Sequence, residues 1–484
     1  MRVLFVQPNF CSISEAMNPG LAYVMTAVAQ RHTVKLLDFT FHRGRDFETL
    51  VGKTLKEFSP EVIGFSVTSF TFEDAVKIGK IIKSIAPDVP QVYGGVHPTL
   101  LPEEAIRHPV VDAVCVGEGE KSFLEYLDKI GKKETPDVAG IWFKDAQGEI
   151  HRTKPRPFEE DIDAIICPDY DLWDVQKYLD LFFGYLPGSL HVLASRGCPY
   201  DCTFCSNAAI QKAVPGQYYR VRSAASVIEE VKINRRKYKG RGFSSIFFSD
   251  ETFGADKKWL KDFCDMYVRE GLHAEYKWMC GTRVELVTRE WAKMVADAGC
   301  ILVNFGIETG DDRLRAQLYK KGFTHEAIAR AAAYLREYGV AYEFNLMIGG
   351  PLDTRETIAA GVDLVKEFKP LRVIFLPYQP LPKTELTAKV GYDLGLSRIA
   401  IFAIMKKLWA FEMSYILKMG LKQRKALFAW DLIRFLFSVN KCRKLPLTDR
   451  NVKLEFLHFV IFKQYMAQKR QEQKNGIMAS GLPI

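Results

Sequence analysis

The sequence predicts an α/β protein: an N-terminal doubly wound parallel sheet, a central partial (β/α)6 barrel and a C-terminal helical region. Three observations carry this. Short apolar runs alternate with longer stretches of helical spacing, five times before residue 150 and six times between residues 190 and 380. Small or polar residues follow these runs, as expected where parallel strands end at a ligand-binding edge. Beyond residue 391 the strand-like runs stop and helical periodicity remains. A chain of 484 residues is long enough for about three domains with cores of their own. The expected division is 1–150, a linker at 151–189, a barrel domain at 190–390 and a tail at 391–484.

In the first domain, strands are expected at residues 3–6, 34–37, 62–67, 91–93 and 113–116, with a helix over 75–85. The later runs end in Gly64-Phe65-Ser66-Val67-Thr68-Ser69, Gly94-Gly95-Val96-His97-Pro98-Thr99 and Gly117-Glu118-Gly119-Glu120. Paired glycines let backbone approach a large ligand, and the hydroxyls of this Ser/Thr cluster suit a buried polar group. His97 and Cys11 are the nearest metal-ligating side chains, but a histidine beside a Gly-Gly turn more commonly hydrogen-bonds than ligates a metal. A fold of this kind implies no function by itself. The linker holds Pro155, Pro157, Pro168 and Pro187 and the acidic run Glu159-Glu160-Asp161, the composition of an extended connection anchored by Tyr170, Trp173 and Tyr178.

Barrel strands are expected at residues 190–194, 245–248, 276–280, 302–306, 342–348 and 372–375. The first runs straight into Arg196-Gly197-Cys198-Pro199-Tyr200-Asp201-Cys202-Thr203-Phe204-Cys205, at a strand's carboxyl end, where barrel active sites lie. Soft thiolates select zinc or iron-sulfur clusters. A zinc site would pair such a loop with further Cys or His ligands, and none follows before Cys264. A [4Fe-4S] cluster usually takes four cysteines, so three leave one iron open to an exogenous ligand. Later strands end in Phe248-Ser249-Asp250-Glu251-Thr252-Phe253, Arg283, Asn304-Phe305-Gly306-Ile307-Glu308-Thr309-Gly310 and Asn345-Leu346-Met347-Ile348-Gly349-Gly350-Pro351. Asp250 and Glu251 suit an ammonium group, Arg283 a carboxylate and Glu308 a diol. Cys264, Cys280 and Cys300 lie in apolar patterns and read as packing residues.

The cysteine loop and the order of these segments resemble the radical S-adenosylmethionine (SAM) signature. The N-terminal domain resembles the cobalamin-binding domain of cobalamin-dependent radical SAM proteins, through its Gly-Gly-x-His-Pro-Thr and Gly-Glu-Gly-Glu segments. The resemblance implies a [4Fe-4S] cluster on Cys198, Cys202 and Cys205, with SAM chelating the open iron. Implied SAM contacts are Phe204 for adenine, Asp250 and Glu251 for the amino group, Arg283 for the carboxylate, Glu308 for ribose and Asn345 in the adenine segment. The Gly-Gly-Glu common after the second strand is absent. Implied cobalamin contacts are Ser66, Thr68, Gly94, Gly95, Thr99, Gly117, Glu118 and Gly119. The loop Pro8-Asn9-Phe10-Cys11-Ser12-Ile13-Ser14 has neither the Asp nor the His of the methionine synthase type, so cobalamin is expected without an axial histidine.

The implied activity is methylation of an unactivated carbon, with a 5′-deoxyadenosyl radical abstracting hydrogen and methylcobalamin delivering the methyl group. No side chain is singled out as catalytic. An oxidative cyclase or ring-rearranging enzyme of the same family is the alternative, and a non-catalytic cobalamin-binding sensor is the alternative of another class. A methylthiotransferase is disfavoured, because the N-terminal domain lacks that group's extra cysteines. Implied partners are a small-molecule substrate, large and apolar (lipid, isoprenoid or tetrapyrrole), and an external electron donor such as flavodoxin or ferredoxin.

The net charge of +9 is concentrated in the tail: residues 391–484 hold 17 Lys+Arg and 6 Asp+Glu, leaving the rest near neutral. There Ile401, Phe402, Met405, Leu408 and Trp409 recur at helical spacing, as do Leu427, Trp430, Ile433 and Phe437. That pattern suits a cap on the barrel and also peripheral contact with anionic lipid. No recognised motif accompanies the charge, so nucleic acid is not an expected partner. No apolar run reaches the roughly 18 residues of a spanning helix. The first residues lack a signal-peptide pattern, and ten irregularly spaced cysteines fit a reducing compartment. The expected location is cytoplasmic, with any membrane association through the tail.

Overall fold

In the computed structural model, residues 1–9, 17–42, 47–180, 182–183, 186–391, 401, 403–405, 407–408 and 411 are described. The readings placed on Cys11 and its loop, on Phe402 and Trp409, and on the tail from residue 412 lie outside the described residues. The chain forms two compact units that do not follow its linear segments. The first comprises Met1–Val175, Arg196–Arg222 and Leu381–Thr387; the second comprises Gln176–Ser195, Ser223–Pro380 and the described residues from Ala388 onward.

The first unit carries a seven-stranded sheet in the order β2-β1-β3-β4-β5-β6-β7. Its strands are β1 (Arg2–Gln7), β2 (Thr33–Asp38), β3 (Val62–Ser66), β4 (Gln91–Gly94), β5 (Ala113–Cys115), β6 (Ile141–Lys144) and β7 (Ile150–His151). The first five are parallel and fall on the five apolar runs, which read as continuous hydrophobics because both faces are covered. β6 and β7 add an antiparallel edge that apolar periodicity did not announce. The order 2-1-3 places the topological switch between β1 and β3, where ligands of such sheets bind beyond the strands' carboxyl ends. Leading into that edge, the helix Pro19–Ala29 starts where Asn18 accepts from the Leu21 amide at 3.1 Å, with proline in its first turn.

The core of this unit joins Val6, Leu37, Ile63, Phe65, Tyr93 and Val114, with Phe65 and Tyr93 stacked at 4.4 Å. Phe158, Val214 and Tyr218 belong to the same core. The chain on either side of the barrel's first strand is therefore built into the N-terminal unit, at about 1.5–3 kcal/mol per fully buried large apolar side chain.

The second unit holds a six-stranded sheet whose order, β10-β13-β14-β15-β16-β17, is sequence order, with every pairing parallel. Here β10 is Ser189–Val192, β13 Ser245–Phe248, β14 Lys277–Thr282, β15 Cys300–Glu308, β16 Ala341–Ile348 and β17 Arg372–Pro377. A hairpin of β8 (Phe182–Phe183) and β9 (Leu186–Pro187) precedes β10; the ladder that pairs β11 (Ser195–Arg196) with β12 (Arg220–Val221) has its Arg196, Arg220 and Val221 in the first unit. β10 and β17 are the two ends of the sheet, so the barrel is open.

Alternation gives each strand two faces. Phe248 and Trp278 pack outward against Phe253 and Phe263, with ring centroids 4.7–6.0 Å apart. Cys264, Cys280 and Cys300 are buried neighbours, and burial holds the first two thiols protonated, a state suited to packing rather than metal binding. The opposite face carries His191, Ser249, Asn304, Glu343 and Asn345. No described helix is long and apolar enough to cross a membrane.

Candidate functional site

The cysteine loop is held by backbone. Gly197 has φ +77°, and a Cβ there would collide with the Tyr218 carbonyl, so the residue before Cys198 must be glycine. The Cys205 amide donates to the Cys202 carbonyl at 3.1 Å, and the helix Ser206–Ala213 begins immediately after. From far along the chain, the Leu386 amide donates to the Thr203 carbonyl at 2.8 Å. Cys202 is buried and Cys198 and Cys205 are half-buried; none is in a disulfide. Among the described residues, no three His, Cys, Asp or Glu side chains are drawn together as a metal-ligand group. What the loop offers is its donor set, three thiols within eight residues, with the exposed Asp201 the one carboxylate among them, which fits an iron-sulfur cluster.

The start of this loop and the strand beyond its following helix meet one carboxylate. Glu118 accepts from Arg220 twice, at 2.8 and 3.0 Å, from Arg196 at 3.1 Å and from the Glu159 amide at 3.0 Å. Burial alone would raise its pKa, but the Arg220 hydrogen bond and the two guanidinium charges outweigh it and keep the carboxylate below its ordinary value. Arg196 also donates to Glu120 at 2.6 Å and lies over the Tyr23 ring at 4.8 Å.

Around Glu118, the strand-end turns of the first unit interlock. Thr99 donates to the Gly95 carbonyl at 2.8 Å and accepts from the Gly117 amide at 3.0 Å, tying the turn after β4 to the turn after β5. Gly95, at φ +98°, has no room for a side chain because a Cβ would lie 2.7 Å from the Val67 carbonyl. Its own chain, not a ligand, is what demands glycine there. Gly94 faces only ordinary contacts, while Gly119 opens the helix Gly119–Gly131 against Val24. Ser66 accepts from the Asn18 side chain at 3.0 Å, and Thr68 is exposed, 3.2 Å from the Thr71 hydroxyl. His97 is buried, stacked on Phe72 at 4.0 Å, with Nδ1 3.2 Å from the Ser69 hydroxyl. Its Nε2 makes no hydrogen bond and lies 3.9 Å from the Glu104 carboxylate. Burial pulls the imidazole down to about 4, so it is neutral at pH 7. The exposed Gly95 backbone and the Ser66 and Thr68 hydroxyls on one edge fit a large polar-edged cofactor.

In the second unit the strand ends are occupied by partners the sequence did not reveal. Asp250 accepts from the Ala194 amide at 3.0 Å and the Ser195 hydroxyl at 2.5 Å, and burial pushes its carboxyl up to about 6 despite them. Glu251 beside it is exposed. Arg283 pairs with Glu285. Glu308 stands at a register shift between β15 and β16 with φ +67°, and pairs with Lys321 at 2.6 Å, both nearly buried. Asn345 donates to Asn304 at 2.8 Å, Asn304 in turn donates to Glu343, and the Asn345 carbonyl oxygen is buried without a partner. Asp353 receives the Gly349 and Gly350 amides at 2.8 and 3.2 Å, shaping the turn after β16. Phe204 is half-buried between the second and third cysteines. Arg196, Arg220, Lys321, Glu343 and Asp353 were not singled out in the sequence, because their partners are set by the fold rather than by spacing.

Two family models match: the B12 binding domain over residues 11–127 and the Radical SAM superfamily over residues 192–365. An uncharacterized methyltransferase of Pyrococcus horikoshii is 33% identical over 376 residues, covering 76% of this chain and 77% of that one. The anaerobic magnesium-protoporphyrin IX monomethyl ester cyclase of Rubrivivax gelatinosus is 25% identical, covering 81% and 70%. The radical SAM methyltransferase TsrM of Kitasatospora setae, solved with cobalamin and a [4Fe-4S] cluster, shares the fold at a TM-score of 0.66 and 22% identity, covering 80% of this chain and 77% of that one. By the Pyrococcus relative's identity and span, and by the two family models in this order, the chain belongs to the cobalamin-dependent radical SAM enzymes, whose cofactors are a [4Fe-4S] cluster, SAM and cobalamin.

Proposed function

We propose that this enzyme methylates an unactivated carbon of a small molecule. The observation that carries the reading is that the three-cysteine loop belongs to the same compact unit as the B12-type sheet, its flanks sharing that sheet's core. Methyl transfer is favoured over cyclisation because the 33% identical relative is named a methyltransferase and the cyclase stands at 25%.

When bound, the cluster and SAM supply hydrogen abstraction and cobalamin supplies the methyl group. The chain's own residues hold and orient. Cys198, Cys202 and Cys205 would ligate the cluster, and Gly197 and the Cys205 amide shape their loop. Phe204, Asp250, Glu251, Arg283, Glu308 and Asn345 are the proposed SAM contacts; of these, Asn345 retains an unfilled acceptor. The turns bearing Ser66, Thr68, Gly94, Gly95, Thr99, Gly117, Glu118 and Gly119 are the proposed cobalamin edge. A large apolar substrate is supported by the cyclase relative, named for a porphyrin ester. A flavodoxin or ferredoxin electron donor, a cytoplasmic location and peripheral membrane contact through the basic tail complete the proposal.

The test is to incubate the anaerobically reconstituted, cobalamin-loaded enzyme with methyl-deuterated SAM and a lipid and pigment extract of its source, followed by mass spectrometry. A deuterated-methyl product with 5′-deoxyadenosine and S-adenosylhomocysteine is expected. 5′-Deoxyadenosine beside an unlabelled, cyclised product would move the assignment to the cyclase type, and no 5′-deoxyadenosine at all would favour a cobalamin sensor.

A further inference from the structure

The carboxylate of Glu118 holds an arginine before the cysteine loop and another beyond the helix that follows it. Arg196 lies two residues before Cys198, and Arg220 lies fifteen residues after Cys205, so the loop and its following helix are strung between them. The two arginines converge on one carboxylate with three hydrogen bonds of 2.8–3.1 Å. Each guanidinium is also fixed from its face, Arg196 over Tyr23 at 4.8 Å and Arg220 over Phe158 at 4.9 Å. The Arg196 and Arg220 side chains are only 13% and 4% exposed. Partly desolvated, charge-assisted and bidentate pairs of this kind set geometry as well as energy.

Glu118 itself sits between Gly117 and Gly119, in the turn bound through Thr99 to the Gly94-Gly95 turn. We infer that Glu118 is a positioning residue for the cluster, linking the cobalamin-side turns to the cysteine loop, so that occupancy of the one edge steadies the other. The inference rests on the proposed cofactor sites and deepens them. Its physical basis is a short path: ligand at the Gly95 and Gly117 backbone, Thr99 hydroxyl, Glu118 carboxylate, Arg196 guanidinium, Cys198. By linkage, if cobalamin steadies the loop, the loaded loop must favour cobalamin by the same factor.

The experiment follows cluster loss from the full-length reconstituted protein to an iron chelator, with and without cobalamin, in the wild type, Glu118→Gln, Glu118→Ala and Arg196→Ala. Glu118→Ala should lose iron about tenfold faster, the scale of one charge-assisted hydrogen bond, with Glu118→Gln between. At saturating cobalamin, with occupancy confirmed by visible absorbance, the protection it gives should vanish in Glu118→Ala, and Glu118→Ala/Arg196→Ala should fall short of the sum of the two single changes. Wild-type cluster loss in Glu118→Ala, or cobalamin lost with the cluster retained at the wild-type rate, overturns the role and leaves Glu118 a cofactor contact or a structural ion pair. Should Glu118→Ala not fold, Glu118→Gln decides by the same readout. A wild-type chain that takes up no cluster would instead strike the proposed function.

Discussion

The Asp250 carboxylate accepts a hydrogen bond from the Ser195 hydroxyl at 2.5 Å, three residues before the first cysteine, and so secures the root of the loop from the end of β13. Its second oxygen takes the Ala194 amide at 3.0 Å, so each oxygen already has a partner within its own unit. Asp250→Ala would strand that amide and hydroxyl in a buried place, at about 1–3 kcal/mol for each group left unsatisfied. A lower denaturant midpoint is expected in the protein without cofactors. An unchanged midpoint with weakened SAM binding would assign Asp250 to the ligand alone.

Gly95 offers a second separation of fold from ligand. At φ +98° and ψ −165° it occupies a region nearly reserved for glycine, and any other residue stores about 1–3 kcal/mol of backbone strain there, before the collision with the Val67 carbonyl. Gly95→Ala should therefore destabilise the first unit and weaken cobalamin binding together, since the turns after β3 and β4 must part. Normal cobalamin loading, measured by visible absorbance after desalting, would remove this edge as the site.

For the cluster, Cys202→Ala takes away the buried thiol of the three. SAM cleavage to 5′-deoxyadenosine should be abolished, with cobalamin binding retained because no cobalamin turn contains the cysteine. Residual cleavage would refute the ligand assignment.

The strands were legible because each is a short apolar run closed by small residues, and β16 coincides with its expected start to within a residue. What was hidden depends on distance along the chain. Glu118 and Arg220 are 102 residues apart and Asp250 and Ser195 are 55 apart, so no local pattern joins them. The glycine at 95 was read as room for a ligand, whereas the space is filled by Val67. Glu308 was read as a diol binder, and its neighbour Lys321 enters only because the shift in register after Gly306 turns the chain. The strands β6 and β7 escaped because an antiparallel edge carries no continuous apolar run: β6 alternates buried Ile141 and Phe143 with half-buried Trp142 and Lys144.

Glu308 and Lys321 are each only 10% exposed in side chain, and Lys321 also donates to the Gly306 carbonyl at 2.7 Å. Removing one member of a buried ion pair leaves a charge without compensation, commonly about 3–5 kcal/mol. Lys321→Met should accordingly unfold the second unit at lower denaturant by that order, while Glu308→Gln, which keeps an acceptor for the ammonium, should cost less. Equal midpoints for wild type and Lys321→Met would mean that Glu308 is solvated or neutral.

His97 supplies the pH dependence of the first unit. Its folded pKa of about 4, set by burial, lies below the ordinary 6.5. Between pH 6.5 and 4 the unfolded chain therefore binds more protons than the folded one, and stability falls as pH is lowered through that window. Above 6.5 the imidazole is neutral in both states and contributes no slope. His191 is lowered to about 4 by the same cause and adds a parallel loss in the second unit. His97→Gln should flatten the plot of unfolding free energy against pH over this range without removing the His191 share. Superimposable slopes for variant and wild type would show that His97 is accessible to protons in the folded protein.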